Sequence, residues 1–330
     1  MKSEISVIKP TSNQLAHKQS LFDSIAELPA GDKWLASISN PNTRRAYQAD
    51  INSFLSTLGI HTEVQFLTVE PGHISKWIET LKANEQSPAT IRRKTAAVSS
   101  MYHFFCQNNL LRINPAATVL RPKVESYEGK TPTLSDIQAR QLLDAADTST
   151  LKGKRDAAIL SLLLYHGLRR DEVAKLQGKH VTHSIRGVLH IVVQGKGGKI
   201  RYIPIQAQTL RLIKKYTKEA GHAEDQNGAL FRAIDPHTKL SAQNTKGLST
   251  NAIYVIVTKY LGDMGLDKQG FGPHALRATA ATNALENKTD MSRVQDWLGH
   301  AHISTTRMYD RRENKNARYP ININYSGRKK

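Results

Sequence analysis

Residues Gly270–Asp310 read GFGPHALRATAATNALENKTDMSRVQDWLGHAHISTTRMYD. Pro273 follows Gly272 and suits the first turn of a helix, where a missing N–H is harmless. In that helix His274 and Arg277 stand at i and i+3 and project from one face. Gly299 fits the C-cap of a helix over Asp290–Leu298. Ser304 is placed to cap a further helix carrying Tyr309, nine residues after His300. Three short helices joined by tight turns therefore bring two imidazoles, a guanidinium and a phenol together.

Such a set suits chemistry on a phosphate. A guanidinium matches two non-bridging oxygens with a planar fork and stays charged at any working pH. A tyrosine hydroxyl attacks phosphorus when nearby cations stabilise the developing charge. Taken singly, an H-x-x-R on a helix is usually a surface pair and a tyrosine usually packs. The joint order and spacing lift the site above that background.

The segments His274–Arg277 (HALR), Leu298–His300 (LGH) and Thr305–Tyr309 (TTRMY) resemble the C-terminal signature of the tyrosine recombinase (phage integrase) family. That family also carries an arginine in a G-L-R-x-x-E segment and a lysine on a β-hairpin. Both have counterparts, in Gly167–Glu172 (GLRRDE) and Gly195–Lys199 (GKGGK). The resemblance implies a mostly α protein with a small β-sheet: an N-terminal helical core-binding domain and a mixed α+β catalytic domain. It implies that Arg169 and Arg277 hold the scissile phosphodiester, with Glu172 bracing them. Lys196 would protonate the leaving 5′ oxygen, His274 would accept a proton or support the site, and His300 would donate to the phosphate. Tyr309 would be the nucleophile. Lys199 competes for the lysine role, but the family pattern matches the first lysine of G-K-G.

The 330-residue length predicts two domains. A net charge of +19, from 47 basic and 28 acidic residues, points to a polyanionic partner. No long basic amphipathic helix favours a membrane surface, so double-stranded DNA is the expected partner. The single cysteine, Cys106, excludes an internal disulfide and fits a reducing compartment. MKSEISVIKP lacks an apolar signal core, and the longest apolar run, Ala157–Tyr165, is too short to span a bilayer. The expectation is a cytoplasmic, nucleoid-associated protein of bacterial, phage or plasmid origin.

Residues 1–12 read as a loose tail and 13–120 as a helical DNA-binding domain. Helices are predicted over 13–28, 42–58, from Pro71, and from Ser87-Pro88 to about Asn108. Residues 121–133 read as a linker, 134–312 as the catalytic domain and 313–330 as a tail. Lys154–His166 is apolar on nearly every face and belongs in the domain centre, ending at Gly167. Val188–Val193 and Ile200–Ile205 flank Gly195–Lys199 as a hairpin. Ala220–Lys246 reads as a long polar connection.

The hairpin glycines do not form a P-loop, because G-x-x-x-x-G-K-[ST] is absent. His300 and His302 lack the acidic or H-E-x-x-H company of a metal site, so no metal or other cofactor is expected. Arg44, Arg45, Arg92, Arg93 and Lys94 are the candidate DNA contacts of the N-terminal domain, with Lys199 and Arg201 at the hairpin. Any one of them, taken alone, is as readily a solvated charge.

The resemblance implies a simple site-specific recombinase of the Cre and Xer type, acting as a homotetramer on two DNA sites with inverted repeats. Strands would exchange through a Holliday junction and a 3′-phosphotyrosine, without metal or ATP, and the tail would dock on a neighbouring protomer. Two other readings use the same surfaces. A type IB topoisomerase would relax DNA without exchanging partners, and a regulator would bind without a covalent step and would not need Tyr309.

Overall fold

The computed structural model describes residues 30–123, 131–195, 198–234 and 246–311. The chain divides into two compact units, Met1–Glu125 and Ser126–Lys330. The predicted helix over 13–28, both tails and much of the 121–133 segment lie outside the described residues, as does Lys196.

In the first unit, helices α1 (Ala30–Ser37), α2 (Pro41–Leu58), α3 (Glu63–Leu67), α4 (Pro71–Ala83) and α5 (Pro88–Gln107) surround one aromatic core. Proline opens α2, α4 and α5 at the one turn that tolerates it. Asn40 and Ser87 cap the first turns of α2 and α5 with their side chains. Gly59 ends α2 in the left-handed conformation at φ 66°. The core is knitted by Phe54 against Trp77, with ring centroids 4.8 Å apart, and by Phe66 stacked on Tyr102 at 4.2 Å. The Tyr102 hydroxyl donates to the Phe66 carbonyl at 2.9 Å, so its burial leaves no polar orphan. Helix α3 was not foreseen; it spans only five residues and is set by the Thr62–Gln65 capping box.

The second unit is built on α7 (Leu151–His166). Leu160, Leu162 and Leu163 are fully buried there, each worth about 1.5–3 kcal/mol over exposure. Around it pack α6 (Asp136–Asp144), α9 (Ala207–Glu219), α10 (Thr250–Asp263) and α11 (Pro273–Glu286). The short α8 (Arg170–Ala174) follows α7, and α12 (Met291–Leu298) and α13 (Ile303–Arg307) complete the unit. The sheet is antiparallel, in the order β1 (His183–Ile185), β2 (Val188–Gln194), β3 (Ile200–Pro204). The hairpin is as expected, with Val193 opposite Arg201 and Ile191 opposite Ile203. Strand β1 was missed, since three exposed residues carry no period.

One expectation needs correction. The described part of the 220–246 connection is not a solvated loop: Leu230 and Phe231 are buried, and Leu230 N–H donates to the Leu176 carbonyl at 2.8 Å. The Phe231 carbonyl accepts from Leu248 N–H at 2.9 Å. Two apolar residues in a polar stretch show no periodicity, yet they seal one side of the core.

Candidate functional site

Gly167 ends α7 at φ 57°, and a side chain there would collide with Leu298, 2.8 Å from an added Cβ. This close approach brings the start of α8 beside the end of α12. Arg169 is the N-cap of α8, and its backbone N–H donates to Glu172 Oε2 at 2.7 Å. Its guanidinium donates to Glu172 Oε1 at 2.9 Å while its side chain stays 34% exposed. Burial pushes the Glu172 carboxyl up, but hydrogen bonds and charge from Arg201 and Arg169 outweigh it and leave the pKa lowered.

Gly272 and Pro273 start α11, which carries His274 and Arg277. Arg277 is 1% exposed. Its Nη1 donates to the Gly167 carbonyl, and its Nη2 donates to the Leu298 carbonyl at 2.6 Å and to His300 Nε2 at 2.9 Å. Nη1 also stands 4.0 Å from Glu172. Its Nε is buried with no hydrogen-bond partner. Burial, then the Arg169 charge, draws the guanidinium down to about 10, still charged at neutral pH.

Asp290 caps α12, and Gly299 ends it in the left-handed conformation at φ 67°. His300 follows, buried. A guanidinium only donates, so His300 Nε2 accepts from Arg277 and the ring proton sits on Nδ1, donated to Thr306 Oγ1 at 2.9 Å. Burial and the Arg277 charge lower its pKa to about 4, keeping it neutral. In this geometry His300 accepts from an arginine; it was expected to donate to a phosphate.

Tyr309 was expected within a helix capped by Ser304. The structure starts α13 two residues earlier, with His302 at its N-cap, and ends it at Arg307. The nucleophile candidate therefore stands in the turn beyond the helix. Its backbone N–H donates to the Thr306 carbonyl at 2.9 Å, and its carbonyl accepts from Thr282 Oγ1 at 2.9 Å. The ring is 5% exposed and stacks on His300, with centroids 5.8 Å apart. Its hydroxyl lies 3.3 Å from His274 Nε2. Partial burial of the His274 ring, then the charges of Arg277 and Arg169, lower the His274 pKa, so a neutral imidazole faces the phenol.

Arg169, Glu172, His274, Arg277, His300 and Tyr309 thus form one connected cluster. Sequence reasoning missed Thr282 and Thr306, two buried hydroxyls that anchor Tyr309 and His300; isolated threonines on helices give no signal. Lys199 is exposed beside the hairpin turn, its carbonyl accepting from Gly195 N–H at 2.7 Å. Arg201, expected at the DNA surface, is engaged inside the protein. Both terminal nitrogens donate to Glu172, at 2.9 and 2.8 Å, and its side chain is 13% exposed. The alternation Arg201–Ile203 was the available signal, since it puts Arg201 on the buried face of β3.

The cations of the N-terminal unit are also unequal. Arg93 pairs with buried Asp50, and Lys94 donates to Ser53 Oγ at 2.9 Å, so both cross-link α5 to α2. Arg44 donates through two nitrogens to the Ile38 carbonyl, at 3.1 and 2.7 Å. Arg45 and Arg92 are exposed, Arg92 with one 3.4 Å bond to the Pro122 carbonyl.

Among the described residues no group of His, Cys, Asp or Glu is arranged to hold a metal ion, and no helix is long and apolar enough to cross a membrane.

Residues 132–316 match the phage integrase family, and residues 34–109 match the N-terminal SAM-like domain of phage integrases. Tyrosine recombinase XerD of Listeria monocytogenes is 30% identical over 273 residues, covering 81% of this chain and 87% of the relative. Tyrosine recombinase XerC of Myxococcus xanthus is 30% identical over 275 residues, covering 82% and 87%. In fold, the chain is similar to XerH bound to a palindromic difH substrate in a post-cleavage complex: TM-score 0.65, 18% identity, 93% of this chain and 86% of that one. It is also similar to a lambda integrase dimer bound to a COC′ core site, at TM-score 0.60 and 14% identity over 93% of this chain and 87% of that one.

Proposed function

We propose how the site works from one premise: the chain belongs to the phage integrase family and is a tyrosine-type site-specific recombinase that cleaves and rejoins DNA. The mechanism is carried by one observation, the contiguous run Arg169–Glu172–Arg277–His300–Tyr309–His274.

The Tyr309 oxygen attacks the scissile phosphorus and forms a phosphotyrosine ester as the bond to the 5′ oxygen breaks. His274 Nε2 accepts the phenol proton. Arg169, through its exposed guanidinium, and Arg277 beside it hold the non-bridging oxygens. Each such preorganised contact is worth about 10²–10³ in rate. Lys196 protonates the leaving 5′ oxygen, and Glu172 braces Arg169. The 3′-phosphotyrosine conserves the bond energy, so a 5′ hydroxyl from a second strand displaces Tyr309 without ATP or a metal. Repeated in pairs through a Holliday junction, this chemistry calls for four protomers on two sites with inverted repeats. Lys199, Arg45 and Arg92 are assigned to phosphate contacts because their side chains are exposed and carry no ion pair among the described residues. The single cysteine fits a cytoplasmic setting.

The test uses duplexes carrying inverted repeats from DNA flanking the gene, with a nick that traps the covalent complex. Protein should attach to the 3′ end and leave a 5′ hydroxyl, in EDTA as well as in magnesium. Attachment to the 5′ end, or loss of cleavage in EDTA, overturns the mechanism. Lys196→Ala should cleave ordinary DNA poorly and recover on a bridging 5′-phosphorothiolate, whose sulfur leaves with little proton donation. Rescue of Lys199→Ala instead moves the acid to Lys199.

A further inference from the structure

Arg201 sits on β3 opposite Val193, on the buried face of the sheet. Its Nη1 donates to Glu172 Oε1 at 2.9 Å, its Nη2 to Oε2 at 2.8 Å, and its Nε to the Trp297 carbonyl at 3.1 Å. The same two Glu172 oxygens accept from the Arg169 guanidinium and backbone. One carboxylate therefore holds two arginines, and a third, Arg277, has Nη1 4.0 Å away. Trp297 precedes Leu298, whose carbonyl holds Arg277. Gly299 leaves space for this crossing, since an added Cβ would stand 3.2 Å from Arg201 Cδ and Nη1.

We propose that Arg201 is a positioning residue for strand cleavage: it holds Glu172 in the orientation that presents Arg169 to the scissile phosphate, and it fixes the end of α12 against which Arg277 is set. The physical reason lies in the count of partners. Without Arg201, the carboxylate has half of its hydrogen bonds unmade and two other guanidiniums within reach. It would turn onto Arg169 or Arg277 and neutralise a cation that the phosphate needs. A lysine keeps the charge at position 201 but cannot reach both carboxylate oxygens and the Trp297 carbonyl in one planar array.

This inference rests on the recombinase reading and is tested on the full chain, with a nicked duplex carrying the recombination site. Arg201→Ala, Arg201→Lys, Glu172→Gln and the Arg201→Ala/Glu172→Gln double variant are compared for DNA affinity, salt dependence and single-turnover covalent cleavage. Arg201→Ala should bind within a few-fold of wild type and keep its salt slope, while cleaving about 10²-fold more slowly, the cost of a misplaced catalytic group. Arg201→Lys should show most of that loss. The double variant should cleave no more than a few-fold below Glu172→Gln, because both changes break one unit. A phosphate contact would behave otherwise: affinity would fall and the salt slope would drop by about 1, with bound complexes cleaving at the wild-type rate. That result overturns the inference, as does full cleavage by Arg201→Lys or an additive loss in the double variant. Melting curves identify any variant that fails to fold; if Arg201→Ala does so, the lysine variant decides between the two outcomes. If wild type forms no covalent complex, the recombinase reading falls and takes the inference with it. If wild type cleaves and the Arg201 variants match it, only the inference falls.

Discussion

Arginine is used differently in the two units. In the helical unit Arg45 and Arg92 are exposed on α2 and α5, and what they offer a partner is charge. In the catalytic unit Arg277 is 1% exposed and held by two carbonyls and an imidazole, with one buried N–H left unmatched. Arg169 lies between these extremes, its side chain 34% exposed and braced by a carboxylate. An exposed cation acts through a screened field that is additive and tolerant of Lys-for-Arg exchange. A buried guanidinium acts through geometry, and its neighbours are built for one shape. On the proposed function, the surface sets how tightly DNA is held, and the buried cluster sets what happens to it.

The largest expected effect isolates the buried side of this contrast. Tyr309→Phe should abolish covalent cleavage while DNA affinity stays within a few-fold, since one oxygen is lost from a buried ring. Residual covalent complex, mapped by peptide sequencing, would move the nucleophile to Tyr319 or Tyr325.

Next comes the exchange that separates charge from shape. Arg277→Lys should cleave about 10²–10³-fold more slowly, nearly as poorly as Arg277→Ala. Wild-type-like cleavage by the lysine variant in a single-turnover assay would break the comparison. The surface cations should accept the same exchange: Arg45→Lys and Arg92→Lys should bind as wild type does, whereas their alanine variants lose affinity by a few-fold each. Measured against salt, each alanine variant should lower the slope by about 1. A flat salt response in the wild type would remove the surface half of the argument.

The smallest effects concern protons. His300 and His166 have pKa values lowered to about 4, both by burial first. An unfolded chain would bind those protons near pH 6.5 and the folded chain only near 4, so the unfolded state takes up more protons between those limits. Stability from these two residues is complete above about 6.5 and is lost as pH falls toward 4. Urea denaturation of wild type at pH 7.5, 6 and 5 should show that decline, and His300→Asn should flatten it. An unchanged slope in His300→Asn would mean that His300 is not kept neutral in the folded protein.

Much of the site was readable because its chemistry sits at short, helix-terminal motifs. Pro273 and Gly299 mark helix ends by backbone rules that neighbours do not alter, so His274, Arg277 and His300 were placed from spacing alone. The all-round apolar run of α7 likewise announced the centre of its domain. The last turn was harder. Ser304 is a good cap by type, but the cap of α13 is His302, two residues earlier, and Tyr309 lies beyond the helix, its backbone held by Thr306 and Thr282.

By itself, then, the sequence determined the family, the two-part architecture and the identity of the cluster, because those depend on residue order and local backbone preference. Only the tertiary structure decided which cations are spoken for. Arg201 and Lys199 are two residues apart in one hairpin, yet one is bound to Glu172 and the other is exposed. Arg93 and Arg92 are adjacent on α5, yet only Arg93 is paired with Asp50 of α2. A guanidinium looks the same in any sequence; whether a carboxylate lies within reach depends on distances across helices and strands that no local pattern records.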